Sequence, residues 1–258
     1  MQGLMTWLFI IYFFATSAVL YATNVIICLV TAPFDWRRRA VHKFSCYWGY
    51  HYFQINPFWH LHYEGVENIE PGKTYVLIAN HNSIADILAC YGLHRQFKWV
   101  SKVEISKVPL IGWNMYLNQY VLLKRGDMKS IKEMMTECKE WLNKGVSVML
   151  FPEGTRSENG QIQTFRDGAF RMAVDCNVPV VPIVIEGTDQ ILKKGAKYLN
   201  FHQNINIKVL PPIDPAQFDG SSGKMRSYVH KVMVDTLFEM HEKSGIRRDP
   251  DQAPVAVP

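Results

Sequence analysis

The first 34 residues of the chain, Met1 to Phe34, contain no charged side chain. All 51 charged residues fall in the other 224 and make up about 23% of that part, close to the roughly 25% typical of soluble domains. This distribution excludes a disordered, fibrous or polytopic membrane protein and a basic nucleic-acid-binding tail, so we expect no nucleic-acid partner. About 200 folded residues can bury one good core, so the sequence predicts one catalytic-size domain behind an apolar leader.

Paired cysteines and several common catalytic motifs are also absent. The five cysteines are scattered and include no C-x-x-C, which indicates a reducing compartment rather than a disulfide or zinc framework. His60 and His62 alternate as on a strand, but without a nearby cysteine or Glu-x-x-His we interpret them as interfacial and predict no metal site. The chain has no G-x-S-x-G, G-x-x-x-x-G-K-[ST] or G-x-G-x-x-G, which disfavours a serine hydrolase, a P-loop enzyme and a dinucleotide enzyme.

The uncharged stretch contains an apolar run that is long enough to enter a bilayer. Leu4 to Val30 would reach roughly 40 Å as one helix, whereas a bilayer core needs only about 20 residues. A cleaved secretory signal would carry its positive charge before the run, but Arg37 to Arg39 follow it. Positive residues beside a membrane segment favour the cytoplasmic side, so we expect a membrane protein with a cytoplasmic catalytic domain. The leader either spans the bilayer or lies in one leaflet as half of a helical pair.

An aromatic segment follows at residues 41–63 (VHKFSCYWGYHYFQINPFWHLHY). Its rings suit the membrane interface, which accommodates an apolar body with a polar tip; the alternative is a helix that packs the rings into the core. The pattern divides the chain into N-terminal membrane-anchoring helices (1–58), an α/β domain (59–245) and a flexible tail (246–258).

Short apolar runs then alternate with helical patterns. Runs without polar alternation are typical of strands buried on both faces, so we predict an α/β fold with a mainly parallel central sheet flanked by helices. The clearest helix is 127–144, with apolar residues at three- and four-residue steps, Asp127 at its start and Gly145 at its end. The predicted strands are 75–79, 98–101, 120–123, 146–151, 178–185 and 205–210.

Two predicted strand ends are rich in reactive side chains, and ligands gather at strand ends in open α/β sheets. In NHNSIAD, His81 is a natural general base, and Asp86 can orient it if His81 sits in the turn and Asp86 in the first helical turn. The alternative is a capping box in which Ser83 caps the helix and Asp86 returns to the Ser83 amide. One carboxylate can serve both roles.

The second strand end is FPEGTRS, residues 151–157. Arg156 offers a planar fork suited to phosphate, and Gly154 lets main-chain amides approach a ligand closely; the alternative is a purely structural turn. Lys102 and Arg125 each follow a predicted strand and can line the same rim, or they belong to an ordinary solvated face.

The order of these motifs is specific. The sequence contains NH-x-x-x-x-D, then K-x-E-I-x-x-x-P-x-x-G at 102–112, then Arg125, FPEGTRS and VPIVI at 181–185. This series resembles the membrane-bound glycerolipid acyltransferases, most closely the 1-acyl-sn-glycerol-3-phosphate acyltransferases, from about Tyr63 to Leu210. Ile105 stands where relatives usually have leucine, and Arg166 where they often have lysine; we expect neither difference to touch the chemistry.

The resemblance implies roles for individual residues. His81 deprotonates the acceptor hydroxyl and Asp86 orients His81. Backbone amides near Gly154 are candidates to stabilise the thioester oxygen as it gains negative charge. The residues implied to hold the glycerol phosphate are Lys102, Arg125, Glu153, Gly154, Thr155 and Arg156, and Val181 and Pro182 are implied to lie by the acyl chain.

The resemblance also implies the reaction. A fatty acyl group passes from an acyl-coenzyme A or acyl carrier protein thioester to the sn-2 hydroxyl of 1-acyl-glycerol-3-phosphate, giving phosphatidic acid, with no cofactor beyond the donor. The implied partners are therefore the bilayer, a lysophospholipid acceptor and the acyl donor. Alternatives are another acceptor (glycerol 3-phosphate, another lysophospholipid or an amino lipid), a thioesterase, and a non-catalytic lipid-binding scaffold.

Overall fold

A seven-stranded sheet lies at the centre of the computed structural model, which describes residues 2–192 and 196–245. The strands lie in the order β1-β7-β6-β2-β5-β3-β4, and every neighbouring pair is parallel except β6 with β7. The strands are β1 (Trp59–Glu64), β2 (Val76–Ala79), β3 (Phe97–Lys102), β4 (Val121–Leu123), β5 (Ser147–Leu150), β6 (Val180–Glu186) and β7 (Gln203–Val209). The prediction of a mainly parallel sheet is confirmed.

Helices cover both faces of this sheet. The helices are α1 (Gln2–Thr31), α2 (Arg39–Gln54), α3 (Ala85–Tyr91), α4 (Ile111–Leu117), α5 (Met128–Asn143), α6 (Gly168–Cys176) and α7 (Ser222–Ser244). One apolar cluster joins the sheet to α5, α6 and α7, and a second joins it to α2 and α3. Strands β2, β5 and β6 are buried along their whole length, which explains why their sequences lack polar alternation.

All six predicted strands are present, and one strand was missed. β1 lies at the edge of the sheet, where Trp59 is buried, Leu61 and Tyr63 are half-buried and the residues between them are exposed, so its sequence WHLHYE lacks a continuous apolar run. The sequence analysis assigned these residues to the aromatic segment, although His60 and His62 do alternate as strand residues. The predicted helix 127–144 corresponds to α5, where Asp127 accepts hydrogen bonds from the amides of Lys129 and Ser130. The predicted tail, 246–258, lies outside the described residues.

Helix α1 has an unusual distribution of polar and apolar side chains. Its fully buried residues are Thr6, Ser17 and Asn24, all polar, whereas its large apolar side chains are mostly exposed. Ser17 hydrogen-bonds Tyr52 of α2 (2.8 Å), and Asn24 donates to Asn114 of α4 (2.7 Å). Among the described helices α1 is long and apolar enough to cross a membrane, by length and composition alone. Its polar stripe therefore holds it to the protein, and its apolar surface faces outward.

Much of the aromatic segment packs into the core, as its alternative interpretation predicted, and the interfacial role stays a prediction. In α2 the rings of Trp48, Tyr52 and Phe53 are buried, whereas Tyr47 is exposed. His42 is also buried, its ring held by the Tyr120 hydroxyl and the Arg95 carbonyl, and burial lowers its pKa to about 3. Helix α2 therefore belongs to the core while carrying α1 on its other side.

A buried lysine joins the α1–α2 connection to the sheet. Lys98 of β3 is 0% exposed, and its ammonium donates to the carbonyls of Arg37 (3.1 Å) and Asn118 (2.6 Å). The same group lies 4.4 Å from the centre of the Trp141 ring. Burial, reinforced by the charge of Arg38, lowers the pKa of Lys98 from 10.5 to about 7.

This lysine predicts a pH dependence of stability. The folded chain holds the Lys98 proton more weakly than the unfolded chain, so folding stability rises as the pH increases from about 7 toward 10.5. Between pH 6.5 and 9 the gain is on the order of 2 kcal/mol. We expect Lys98→Met to reduce the difference between the apparent Tm values at pH 9 and pH 6.5, measured by thermal unfolding in detergent. The exposed Lys144, also beside Trp141, provides the control variant Lys144→Met. An unreduced difference in Lys98→Met would contradict the prediction.

Candidate active site

Five strand ends converge on one edge of the sheet. β2, β3, β4, β5 and β6 run parallel, so the segments that follow them emerge on the same side. This is the edge at which open α/β sheets bind ligands. The candidate site residues predicted after β2, β3, β4 and β5 are therefore brought to a common rim.

His81 and Asp86 meet at this edge. His81 lies in the loop after β2, and Asp86 lies in the first turn of α3. The Nδ1 atom of His81 is 2.8 Å from Oδ2 of Asp86, the arrangement in which a carboxylate fixes the tautomer of an imidazole. With Nδ1 donating, Nε2 is the nitrogen that can accept a proton, and no described residue hydrogen-bonds it.

The carboxylate of Asp86 also serves the backbone. Its Oδ2 atom accepts hydrogen bonds from the amides of Asn82 (2.7 Å) and Ser83 (2.8 Å). The capping-box bond to Ser83 is therefore present together with the bond to His81. The Ser83 hydroxyl accepts from the amide of Ala85 at 3.3 Å, whereas the helix cap position itself is Ile84.

The His81 ring is clamped on a second side. Phe151, the first residue after β5, stacks on it with ring centres 4.0 Å apart and an angle of 11° between the planes. The backbone of His81 is also fixed, because its carbonyl accepts from the amide of Ser157 at 2.7 Å. The FPEGTRS turn therefore packs directly against the loop that carries the histidine.

Glu153 connects these two loops. Its side chain is buried, with Oε1 accepting from the amide of His81 (2.7 Å) and Oε2 accepting from the amide of Gln163 (2.8 Å). Burial raises the pKa of Glu153 to about 8, an effect that the two amide donors oppose. Both oxygens thus contact backbone beneath the site, so the geometry assigns Glu153 to loop positioning, whereas the resemblance implied phosphate contact.

In the turn formed by residues 151–157, the Gly154 amide was a candidate donor to the thioester oxygen. Gly154 has φ of +74°, which favours glycine, and its amide donates to the carbonyl of Phe151 at 3.1 Å. The amide of Gly154 is therefore occupied within the turn. Thr155 is exposed at the tip of the same turn.

Three predicted cations lie near one another at the rim. Burial lowers the pKa of Lys102, and the positive charges of Arg125 and Arg156 lower it further. Burial likewise lowers the pKa of Arg125, with the charge of Arg166 as a further cause. In the described part of the chain, neither the three predicted cations nor Arg166 forms an ion pair with a carboxylate. The carboxylate of Glu104 partly offsets this repulsion, because it raises the pKa of both Lys102 and Arg125. The positive charge that remains at the strand edge favours binding of an anion such as phosphate.

Sequence reasoning missed Arg166. We considered it only as an arginine in place of the lysine common in relatives and did not include it among the site residues. Its charge nevertheless influences Arg125, and a Cβ atom at Gly154 would lie 2.5 Å from its Nε atom. Gly154 thus gives the Arg166 side chain room to cross the turn. The cationic residue common in relatives at this position was the available sequence signal.

Thr188 was also missed. It lies just after β6 and donates a hydrogen bond from its hydroxyl to Oδ1 of Asp86, across 102 positions of sequence. No local pattern in the sequence links these two residues.

The predicted acyl-chain residues lie deeper in the fold. Val181 and Pro182 are buried in β6, in register with Leu77 and Ile78 of β2. Their proposed contact with an acyl chain stays a prediction. Among residues 2–192 and 196–245, no group of three or more His, Cys, Asp or Glu side chains is arranged to hold a metal ion.

Comparison with known proteins agrees with this geometry. The sequence model described as Acyltransferase matches residues 60–186. The chloroplastic 1-acyl-sn-glycerol-3-phosphate acyltransferase LPAT1 of Arabidopsis thaliana is 35% identical over 228 residues, which cover 86% of this chain. Residues 60–186 therefore form a domain of the acyltransferase family. The chloroplastic acyltransferase BAT2 of Brassica napus, likewise named a 1-acyl-sn-glycerol-3-phosphate acyltransferase, is 34% identical over 85% of this chain.

A solved acyltransferase structure has the same fold. The crystal structure of the 1-acyl-sn-glycerophosphate (LPA) acyltransferase PlsC from Thermotoga maritima matches with a TM-score of 0.76 and 26% sequence identity. The match covers 96% of this chain and 100% of that one. The chain spans 64% and 65% of the lengths of the two plant acyltransferases.

Proposed function

We propose that this acyltransferase moves a fatty acyl group from an acyl-thioester to the sn-2 hydroxyl of 1-acyl-glycerol-3-phosphate and so makes phosphatidic acid. The observation that carries the proposal is the pairing of His81 with Asp86 at the sheet edge that also carries a cluster of cations. The names of the relatives from Arabidopsis thaliana, Brassica napus and Thermotoga maritima support the choice of acceptor.

The base supplies the chemical step. Nε2 of His81 takes the proton of the acceptor hydroxyl as its oxygen attacks the thioester carbonyl carbon, and Asp86 stabilises the imidazolium. The tetrahedral intermediate collapses with cleavage of the C–S bond, and the departing thiolate recovers the proton from His81. The acyl group therefore passes directly from sulfur to oxygen, without a covalent enzyme intermediate.

The cations bind the acceptor and place its hydroxyl. Lys102, Arg125 and Arg156 converge on the same rim as His81, and a guanidinium offers two parallel hydrogen bonds to a phosphate. Binding a phosphate dianion also relieves the repulsion among these groups. Glu153 stays beneath the site, where it ties the histidine loop to the turn that carries Arg156.

The membrane anchor is part of the same proposal. Helix α1 contacts the α/β domain near both of its ends, because Thr6 accepts from the amide of Leu199 (3.1 Å) and Asn24 donates to Asn114 (2.7 Å). These two anchor points are 18 residues, or about 27 Å, apart along the helix. A membrane-crossing α1 would draw the irregular backbone at Leu199 and the polar side chains around Asn114 of α4 toward the bilayer core, at a high cost in free energy. We therefore infer that α1 lies within one leaflet, and that the arginines at 37–39 face the cytoplasm.

The acceptor assignment predicts the outcome of a substrate panel. Purified protein in detergent receives labelled acyl-coenzyme A or acyl carrier protein with lysophosphatidic acid, glycerol 3-phosphate, other lysophospholipids or water as the acceptor. We expect transfer to lysophosphatidic acid. We also expect the rate of this transfer to be lower by a factor of about 10²–10⁴ in His81→Ala, since this is the usual contribution of a positioned base. Transfer only to another acceptor would refute the substrate assignment. Hydrolysis without transfer would indicate a thioesterase, and no turnover would favour a lipid-binding scaffold.

Arg156→Ala tests the phosphate contact. Loss of a charge-assisted hydrogen bond costs about 1.5–3 kcal/mol, so we expect the KM for lysophosphatidic acid to rise by roughly 10–100-fold with a smaller effect on the KM for the donor. Steady-state kinetics with each substrate varied in turn measures both values. The exposed Arg171 of α6 provides the control Arg171→Ala. If the acceptor KM is unchanged in Arg156→Ala, Arg156 does not hold the phosphate.

If α1 lies within one leaflet, the start of α1 and the surface of the α/β domain are accessible to a reagent from the same side of the membrane. In a background with Cys28 and Cys176 replaced by serine, Gln2→Cys marks the start of α1 and Lys231→Cys marks the exposed surface of α7. We expect a membrane-impermeant maleimide to label both variants in sealed vesicles that carry the domain on their outer surface. Protection of Gln2→Cys until the vesicles are opened would show that α1 crosses the bilayer.

A further inference from the structure

Among the described residues, the Oδ1 atom of Asp86 accepts a hydrogen bond from one donor, the hydroxyl of Thr188. Asp86 is 0% exposed, so water cannot satisfy its carboxylate. Oδ2 serves His81 and two backbone amides, whereas the Thr188 hydroxyl is the one group in the described residues that donates to Oδ1. Thr188 is itself 0% exposed. Without this hydroxyl, a buried carboxylate oxygen would lack a partner.

The fold delivers Thr188 to this point by fixing the end of β6. Asn80, the residue before His81, donates to the carbonyl of Ile185 (2.8 Å) and accepts from its amide (2.7 Å). Gly187 then turns the chain with φ of +89°, and a Cβ atom there would lie 2.2 Å from the Asn204 carbonyl oxygen. The path from β6 to Thr188 is therefore held from both sides, by the catalytic loop and by β7.

We propose that Thr188 is a positioning residue, whose hydroxyl sets the orientation of Asp86 and, through it, the orientation of the His81 ring. The inference deepens the proposed acyl transfer, because it concerns the base of that reaction. The His81–Asp86 pair thus has a third member in Thr188, contributed by the loop after β6, and Asn80 presents it.

The physical reason lies in the rotation of the carboxylate. Terminal torsions of Asp side chains are soft, so hydrogen bonds to both oxygens are needed to hold the group in one plane. With Oδ1 unpartnered, the carboxylate can turn to share its existing donors between two oxygens, which misaligns the bond to Nδ1 of His81. The expected loss therefore appears in the chemical step and not in substrate binding.

Thr188→Val removes the hydroxyl while keeping the volume and branching of the side chain. We expect kcat to fall by about 10-fold or more, the effect of losing one hydrogen bond to a charged group, with little change in the KM of either substrate. Thr188→Ser keeps the hydroxyl and should restore most of the kcat. Thr236→Val, which removes another buried hydroxyl from α7 far along the chain, controls for lost stability and should keep the wild-type kcat. If Thr188→Val does not fold, Thr188→Ala carries the same expectation.

A measurement independent of turnover separates this inference from the proposed function. In proton NMR, the His81 ring N–H that is bonded to Asp86 gives a downfield resonance, identified by its loss in His81→Ala. We expect this resonance to broaden or shift in Thr188→Val and to persist in Thr188→Ser and Thr236→Val. An inactive wild-type protein would overturn the acyl-transfer proposal without touching this expectation. An unchanged resonance in Thr188→Val, or an unchanged kcat in an active enzyme, would overturn the role of Thr188.

Discussion

A buried carboxylate, that of Asp86, is the constraint on which the active edge of this protein depends. Since water does not reach it, the protein must supply every hydrogen bond that the carboxylate accepts. The donors come from the loop that carries His81 and from the loop after β6, and Asp86 itself lies in the first turn of α3, so three segments must meet within one small volume. The buried carboxylate of Glu153 also links two segments, because it accepts hydrogen bonds from the amides of His81 and Gln163. The base is therefore held by its surroundings before any substrate arrives.

The same requirement explains how α1 is attached. An apolar helix needs no specific partner in lipid, but buried hydroxyl and amide groups do, and α1 buries Thr6, Ser17 and Asn24 against polar partners. The α1–α2 connection is held in a similar way, because the buried ammonium of Lys98 donates a hydrogen bond to the carbonyl of Arg37. A change of angle between α1 and the sheet would leave these groups unpaired, so the polar contacts fix the anchor in one orientation.

The features predicted correctly from the sequence are those that depend on neighbours along the chain. Apolar runs located the buried strands, and the cap at Asp127 located α5. NHNSIAD predicted that Asp86 could reach His81 if His81 lay in the turn and Asp86 in the first helical turn, and both conditions are met. The missed features depend on contacts between distant segments, such as the bond from Thr188 to Asp86 and the place of Arg166 across Gly154. The edge strand β1 was missed because only Trp59 of its residues is buried, which weakens the apolar pattern.

The cations at the rim need access to solvent, whereas the histidine needs a rigid environment, and the edge of the sheet provides both. His81 is held by partners that are buried, whereas in the proposed function the cations remain open to an incoming phosphate. Repulsion among these cations favours an anion at the rim, so under the proposed function binding of the acceptor phosphate would relieve it and bring the acceptor hydroxyl toward His81. Parallel strands place both sets of groups on one edge, since every strand in this half of the sheet ends there. With α1 fixed to the same domain, a lipid whose chain stays in the leaflet can present its headgroup to the cations and its hydroxyl to His81 at once.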